Sequence, residues 1–266
     1  MEYRKIYEEW LNNKYFDDKT KEELLSIKDD ETEIEDRFYQ KLKFGTAGLR
    51  GKIGAGTNRM NKYTVSLATQ GLADTILSYG EEAAQRGVAI SHDVRHKSRE
   101  FAEITASVLA ANGIKVYIHK DITPTPVLSY TIRKLNTISG VMITASHNPK
   151  EYNGYKAYWE EGSQILDNIA DQILNNIEKI GDYSNVKIIE FDEGVNSGLI
   201  EILDEKIIDE YIDDVLNLKI EDENIDKSVK VVYSPLNGTG NKLVRRILQE
   251  RGFENIYIVK EQENPD

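Results

Sequence analysis

The stretch Gly140-Val-Met-Ile-Thr-Ala-Ser146-His147-Asn148-Pro149 decides how this chain is read. A short apolar run that ends in turn formers predicts a buried strand stopping at a polar turn, with the Ser146 hydroxyl presented at a sheet edge. A hydroxyl on so rigid a support is a candidate nucleophile. Tyr152-Asn-Gly-Tyr-Lys156 follows, and its Asn-Gly pair predicts a second turn that brings a cation beside the same hydroxyl. Serine beside a cation, without a strong base, suits phosphoryl transfer better than acyl transfer. His147 adjoins Ser146, but sequence neighbours seldom face each other and no Gly-x-Ser-x-Gly elbow surrounds the serine, which disfavours a hydrolase dyad.

Helix and strand patterns alternate on both sides of this stretch. Upstream, Ala68, Leu72, Ile76 and Tyr79 share a helical face, and Gly87-Val-Ala-Ile-Ser91 reads as a buried strand. Phe101, Ile104, Thr105, Val108 and Leu109 predict the next helix, which Gly113 ends before the strand Ile114–Ile118. A helix from about Thr125 to Leu135 leads into the strand that delivers Ser146. This β-α-β-α-β order predicts an α/β domain with a mixed or mostly parallel sheet.

Downstream, Leu166, Ile169, Ala170, Ile173, Leu174 and Ile177 form an apolar helical stripe assigned to core packing. The pattern weakens between about Gly181 and Gly198, and a domain boundary is placed near residue 200. A helix carrying Ile207, Ile208, Tyr211, Ile212, Val215 and Leu216, a strand Val229–Tyr233, a helix near Lys242–Arg251 and a strand Asn255–Val259 then form a second unit. Two strands with a few helices are small for a domain, so this second unit is expected to be cut short. Residues 1–41 are charged, without glycine or proline, and read as a solvated helical extension of short helices packing on the body.

The chain has 266 residues, enough for a sizeable core and one or two domains. Its net charge of −12, from 46 acidic against 34 basic residues, argues against a nucleic-acid partner, which needs clustered lysine and arginine. There is no cysteine, hence neither a disulfide framework nor a thiolate metal site. No run of about 18 apolar residues and no apolar signal core are present, so a cytoplasmic protein away from membranes is expected.

Thr144–Pro149 with Asn153–Lys156 resembles the active-site serine loop of the α-D-phosphohexomutase superfamily, the phosphoglucomutases and phosphomannomutases. Phe44-Gly-Thr-Ala-Gly-Leu-Arg50-Gly51 is similar to that family's N-terminal signature, His92-Asp93-Val-Arg95 to its Asp-x-Arg segment, Thr123-Pro-Thr-Pro126 to a turn before a family helix, and Ser234-Pro-Leu-Asn-Gly-Thr-Gly240 to the start of its second domain. The matches keep the family's order from about residue 44 to about 240. The helical extension resembles that of the longer phosphoglucomutase subgroup, which also contains phosphopentomutases.

The resemblance implies a three-layer α/β/α domain I over residues 42–200, with a mixed, mostly parallel sheet, and a truncated α/β domain II over 201–266. It implies an isomerase that moves phosphate between C1 and C6 of a hexose phosphate through a phosphoserine at Ser146 and a hexose bisphosphate that serves as intermediate and activator. Glucose is the expected sugar, with mannose and pentose phosphates, or a non-catalytic phosphosugar-binding module, as alternatives. Arg50 and Lys156 match positions that assist proton transfer and hold the reacting oxygen. His147 would orient the phosphoserine, and Asn148 would shape the turn. Family members hold Mg²⁺ between the phosphoserine and three aspartates in an Asp-Gly-Asp-x-Asp-Arg run, which this chain lacks. Ser146 is then the one metal ligand implied, with the others expected outside the chain, and the 266 residues alone are expected to show little turnover.

Three other features have structural and functional readings side by side. Gly51, Gly54 and Gly56 make a weak dinucleotide loop, because they precede no helix in a strand-turn-helix unit. Asn237-Gly-Thr-Gly-Asn-Lys242 sits between strand and helix but lacks the Gly-Lys-Ser/Thr of a nucleotide loop, which favours a tight turn over an anion site. Asp93 and Arg95 read equally as a structural ion pair or as site residues.

Overall fold

A computed structural model describes residues 2–45, 48–220 and 224–264. Thr46 and Ala47 of the Phe44–Gly51 signature, and the last two residues, lie outside the described residues. The elements run α1 (Glu2–Asn12), α2 (Asp18–Ser26), α3 (Glu31–Phe38), β1 (Leu49–Lys52), α4 (Lys62–Ser78), α5 (Glu81–Arg86), β2 (Val88–His92), α6 (Ser98–Ala111), β3 (Val116–His119), α7 (Thr125–Lys134), β4 (Ser139–Ile143) and β5 (Tyr152–Trp159). They continue α8 (Asp167–Ile180), α9 (Phe191–Asn196), β6 (Ile200–Leu203), α10 (Lys206–Asn217), β7 (Val231–Tyr233), α11 (Asn241–Glu250) and β8 (Ile256–Ile258).

The first six strands form one sheet in the order β1-β5-β4-β2-β3-β6. β2 pairs in parallel with β3 and β4, and β3 with β6, while β5 runs antiparallel to both β4 and β1. Every residue of β2 and β4 is buried, because helices cover both faces, as continuous apolar strands of a parallel sheet require. The larger core layer joins the sheet to α4, α6 and α8 through residues such as Leu72, Ile76, Leu109, Val141 and Ile173. On the other face Leu128 and Ile132 of α7 pack against Ala89, Met142 and Tyr158. Each such aliphatic side chain, fully buried, contributes about 1.5–3 kcal/mol. The result is the α/β/α arrangement with a mixed sheet.

Two local expectations fail. Asn153-Gly154 is no turn but lies inside β5, an eight-residue strand, whose aromatic residues Tyr152, Tyr155, Tyr158 and Trp159 favour a pleated surface more strongly than Asn-Gly disfavours it. Leu166, placed in the core stripe of α8, is 72 % exposed because it occupies the N-cap, before the periodic face begins. β6 adds an edge strand where the sequence shows little pattern.

The first three helices are not merely a solvated extension, since they enclose a second core of Tyr7, Trp10, Phe16, Leu24, Ile34 and Phe38, closed against Tyr63 of α4. Trp10 stacks on Phe16 with centroids 4.1 Å apart and meets Phe38, Tyr63 and Tyr183 edge-on. Buried Arg59 anchors α3, bonding the Asp36 carboxylate at 2.6 Å. At the other end, β7 and β8 form a separate parallel pair. Ile212 of α10 and Leu243 of α11 rest on Val127 of α7.

Candidate active site

The strand order places the site. From β2 the chain crosses by α6 to β3 on one side, then returns by α7 to β4 on the other, so the sheet reverses its winding between β2 and β4. Crevices outside the carboxyl ends of strands at such a switch are where open α/β sheets bind ligands. His92 and Asp93 leave β2 at this point, and Thr144, Ala145 and Ser146 leave β4.

Thr144 and Ala145 remain buried while Ser146 and His147 emerge into solvent. Ser146 has φ 57°, a left-handed conformation that a non-glycine residue adopts only when its surroundings impose it. The Thr144 hydroxyl accepts the Ser146 amide at 3.0 Å. His147 Nδ1 lies 3.5 Å from Ser146 Oγ, which is contact at the limit of a hydrogen bond and allows no strong activation of the hydroxyl.

The cations come from the neighbouring strands. Arg50 on β1 stands opposite Gly154 of β5, and Lys156, two residues further, shares that face of the sheet. An Arg50 terminal nitrogen donates to Asn148 Oδ1 at 3.0 Å, tying β1 to the serine loop. The close approach of these segments depends on Gly154, since a β-carbon there would lie 2.6 Å from the Thr144 carbonyl oxygen and 2.9 Å from that of Leu49. Burial, and then the Arg50 guanidinium, hold Lys156 below the ordinary lysine range, with Asp93 partly opposing. The cation therefore releases its proton more readily than a free lysine.

Arg95 pairs with Asp93 and also lies against the serine loop. Its guanidinium bonds four carbonyl oxygens along the loop, those of Ser146, Asn148, Pro149 and Tyr152. Asp93 receives the Arg95 amide at 3.0 Å and the Ser98 hydroxyl at 2.7 Å. Fully buried Asn153 donates to Ser98 Oγ and to the His96 carbonyl, and accepts from Gly154 N–H. Ser98, Thr144 and Asn153 carry this frame; Thr144 and Asn153 fall within the segments that resemble the serine loop, but sequence reasoning gave none of the three a role.

A cavity of about 590 Å³ opens outside β2 and β3, lined among others by His92, Thr123, Asn237 and Lys242. Ser146 is not part of its wall. Asn237 there has φ 61° and Gly238 N–H bonds the Pro235 carbonyl, a tight turn before α11, while Lys242 pairs with Asp121 at 2.9 Å. Gly51 lies on β1, and Gly54 and Gly56 stand in the turn before α4, which the sequence reading did not expect; their carbonyls accept from the Asn61 side chain, whose Oδ1 in turn caps the Tyr63 and Thr64 amides, so the helix start is closed by Asn61 and not left open as a dinucleotide loop would need. Among the described residues, no grouping of three or more His, Cys, Asp or Glu could hold a metal ion, and no helix is long and apolar enough to cross a membrane.

Comparison with known proteins gives a consistent result. Residues 41–184 match the family model described as phosphoglucomutase/phosphomannomutase, alpha/beta/alpha domain I, and residues 209–266 match that of domain II. The chain is 36% identical over 259 residues to a phosphoglucomutase of Staphylococcus haemolyticus strain JCSC1435, covering 95% of this chain and 44% of the relative. It is 38% identical over 235 residues to one of Staphylococcus aureus strain RF122, covering 88% and 41%. A solved structure from Thermus thermophilus, described as a phosphomannomutase, superposes with a TM-score of 0.66 at 26% identity, covering 85% of this chain and 47% of that one. The chain thus spans less than half the length of the curated relatives it matches.

Proposed function

Since this chain belongs to the phosphoglucomutase/phosphomannomutase family, we propose that it supplies the phosphoryl-carrying serine of a hexose phosphate mutase, glucose being the first sugar to test. The observation that carries the proposal is Ser146, held exposed in a left-handed turn at the switch point of the sheet, in a loop that Arg50 bonds at Asn148, with Lys156 on the same sheet face as Arg50. In this reading the phosphorylated Ser146 loses its Oγ–P bond as a P–O bond forms to a hydroxyl of the hexose phosphate, giving a bisphosphate. After the sugar turns over, the phosphoryl group that the substrate brought, at the other end of the bisphosphate, passes to Ser146 Oγ and the isomer leaves carrying the group first held by the serine, so atoms and charge balance across the cycle.

The side chains divide the work by their chemistry. Lys156, with its proton affinity lowered, accepts the proton of the attacking hydroxyl and passes it to the departing Ser146 Oγ, and the same proton moves the opposite way in the second half-reaction. The Arg50 guanidinium offsets the negative charge gathering on the transferred group. His147, beside Oγ, orients the phosphate. The described donors do not compose a Mg²⁺ site, since Ser146 offers one oxygen and no acidic cluster accompanies it. Accordingly no step here runs through a metal. The domain limits 1–41, 42–200 and 201–266 remain the proposed division.

The test is phosphate uptake from glucose 1,6-bisphosphate, read by intact-protein mass, and turnover of glucose 1-phosphate, mannose 1-phosphate and ribose 1-phosphate by the full-length protein that carries this chain. Wild type should gain one phosphate, S146A none, and glucose 1-phosphate should turn over fastest. Equal turnover by S146A would refute the carrier role, and uptake without any turnover would favour a binding module.

A further inference from the structure

We infer that Arg95 is a positioning residue for Ser146, a clamp that fixes the serine loop and makes no contact with substrate. This rests on the reading of Ser146 as the phosphoryl carrier. A guanidinium has five N–H donors in a rigid fork. In Arg95 the four terminal N–H groups each have a protein acceptor and Nε lies in an ion pair. One terminal nitrogen bonds the carbonyls of Pro149 at 2.8 Å and Tyr152 at 3.1 Å, and the other those of Ser146 at 2.9 Å and Asn148 at 2.5 Å. Nε faces the Asp93 carboxylate at 3.4 Å.

The consequence falls on the backbone at Ser146. Its amide is held by Thr144 Oγ1 and its carbonyl by Arg95, so the peptides on both sides of a left-handed residue are fixed. Without the clamp the loop has a lower-energy choice, because a serine relaxes readily to φ below zero, and that rotation swings Oγ away from Arg50 and Lys156. Asp93 orients the clamp and is itself held by Ser98, which Asn153 of β5 holds in turn. The frame thus couples the strand that carries Lys156 to the loop that carries Ser146. Lysine cannot fully replace Arg95, for one ammonium has three donors and four carbonyls are to be held.

The experiment compares wild type, R95Q, R95K and S146A in the full-length protein, by steady-state kinetics on glucose 1-phosphate and by hydrogen exchange of residues 144–153. A misplaced nucleophile costs on the order of 100-fold in rate, so R95Q should lose about that much in kcat with KM changed less than about twofold, and R95K should fall between. Exchange of the 146–152 amides should accelerate in R95Q while β2 and β4 keep wild-type protection. R95K retains a cation opposite Asp93 and carries the test if R95Q loses the fold. An inactive S146A beside an unimpaired R95Q and R95K overturns the clamp alone. A rise in KM at unchanged kcat overturns it too, since that marks a substrate contact. Wild-type turnover by S146A overturns the carrier role and the clamp with it.

Discussion

Substituting Gly154 by alanine tests whether the junction of β1, β5 and the serine loop is as tight as its geometry implies. The added β-carbon meets two backbone oxygens, at 2.6 Å from Thr144 and 2.9 Å from Leu49, where ordinary contact begins near 3.4 Å. The two strands must therefore retreat by about 0.8 and about 0.5 Å. Neither obstacle is a flexible side-chain end, and the Thr144 amide is also bonded to the Gly154 carbonyl at 3.0 Å, so retreat strains the ladder as well. Overpacking of this kind costs up to about 3 kcal/mol. Alanine restricts the unfolded chain and offsets about 0.4–1 kcal/mol of that, leaving about 2 kcal/mol. With a urea slope of about 2–3 kcal/mol per M, the midpoint followed by tryptophan fluorescence should fall by about 0.7–1 M. Because Thr144 also caps the Ser146 amide, phosphate uptake at Ser146 should fall in parallel. Gly45, whose β-carbon would meet nothing within 4 Å among the described residues, is the control, and G45A should leave the midpoint unchanged or slightly raised. A G154A midpoint equal to wild type with normal uptake would refute the close-approach argument.

Truncating Trp10 to alanine removes the centre of the aromatic cluster and should cost about 3–5 kcal/mol, measured as an earlier urea transition of the N-terminal helices. The depressed Lys156 sheds its proton at lower pH when folded than when unfolded, so it binds fewer protons in the native state across that window. Its contribution to stability therefore rises as pH climbs from the folded value toward 10.5, and K156M should flatten that part of a stability–pH profile. The same proton loss places the lysine-dependent limb of the rate profile below the ordinary lysine range, and K156R should move it upward. The 266-residue chain assayed alone should turn over glucose 1-phosphate far more slowly than the full-length protein, and comparable rates would contradict that expectation.

Periodicity and punctuation are properties of a few adjacent residues, and what rests on them was legible in the sequence. The apolar run before Ser146 needed only its own composition to read as a buried strand, and Gly113, with φ 75°, ends α6 where a left-handed residue is required. The alternation of such segments determined the α/β class and the succession of its strands along the chain, not their order across the sheet. Leu166 shows the limit, since its hydrophobicity continues the stripe but its place at the helix start turns it to solvent. Only the tertiary structure decided that Asn153-Gly154 lies in a strand, because the competing choice is settled by pairing with β4 on one side and β1 on the other. It alone brought Arg95 to a loop some fifty residues away, and it alone buried Lys156 and set it against Arg50, which together lower the proton affinity of that lysine. Those effects depend on strand order and on distances across the sheet, and a chain read residue by residue carries neither.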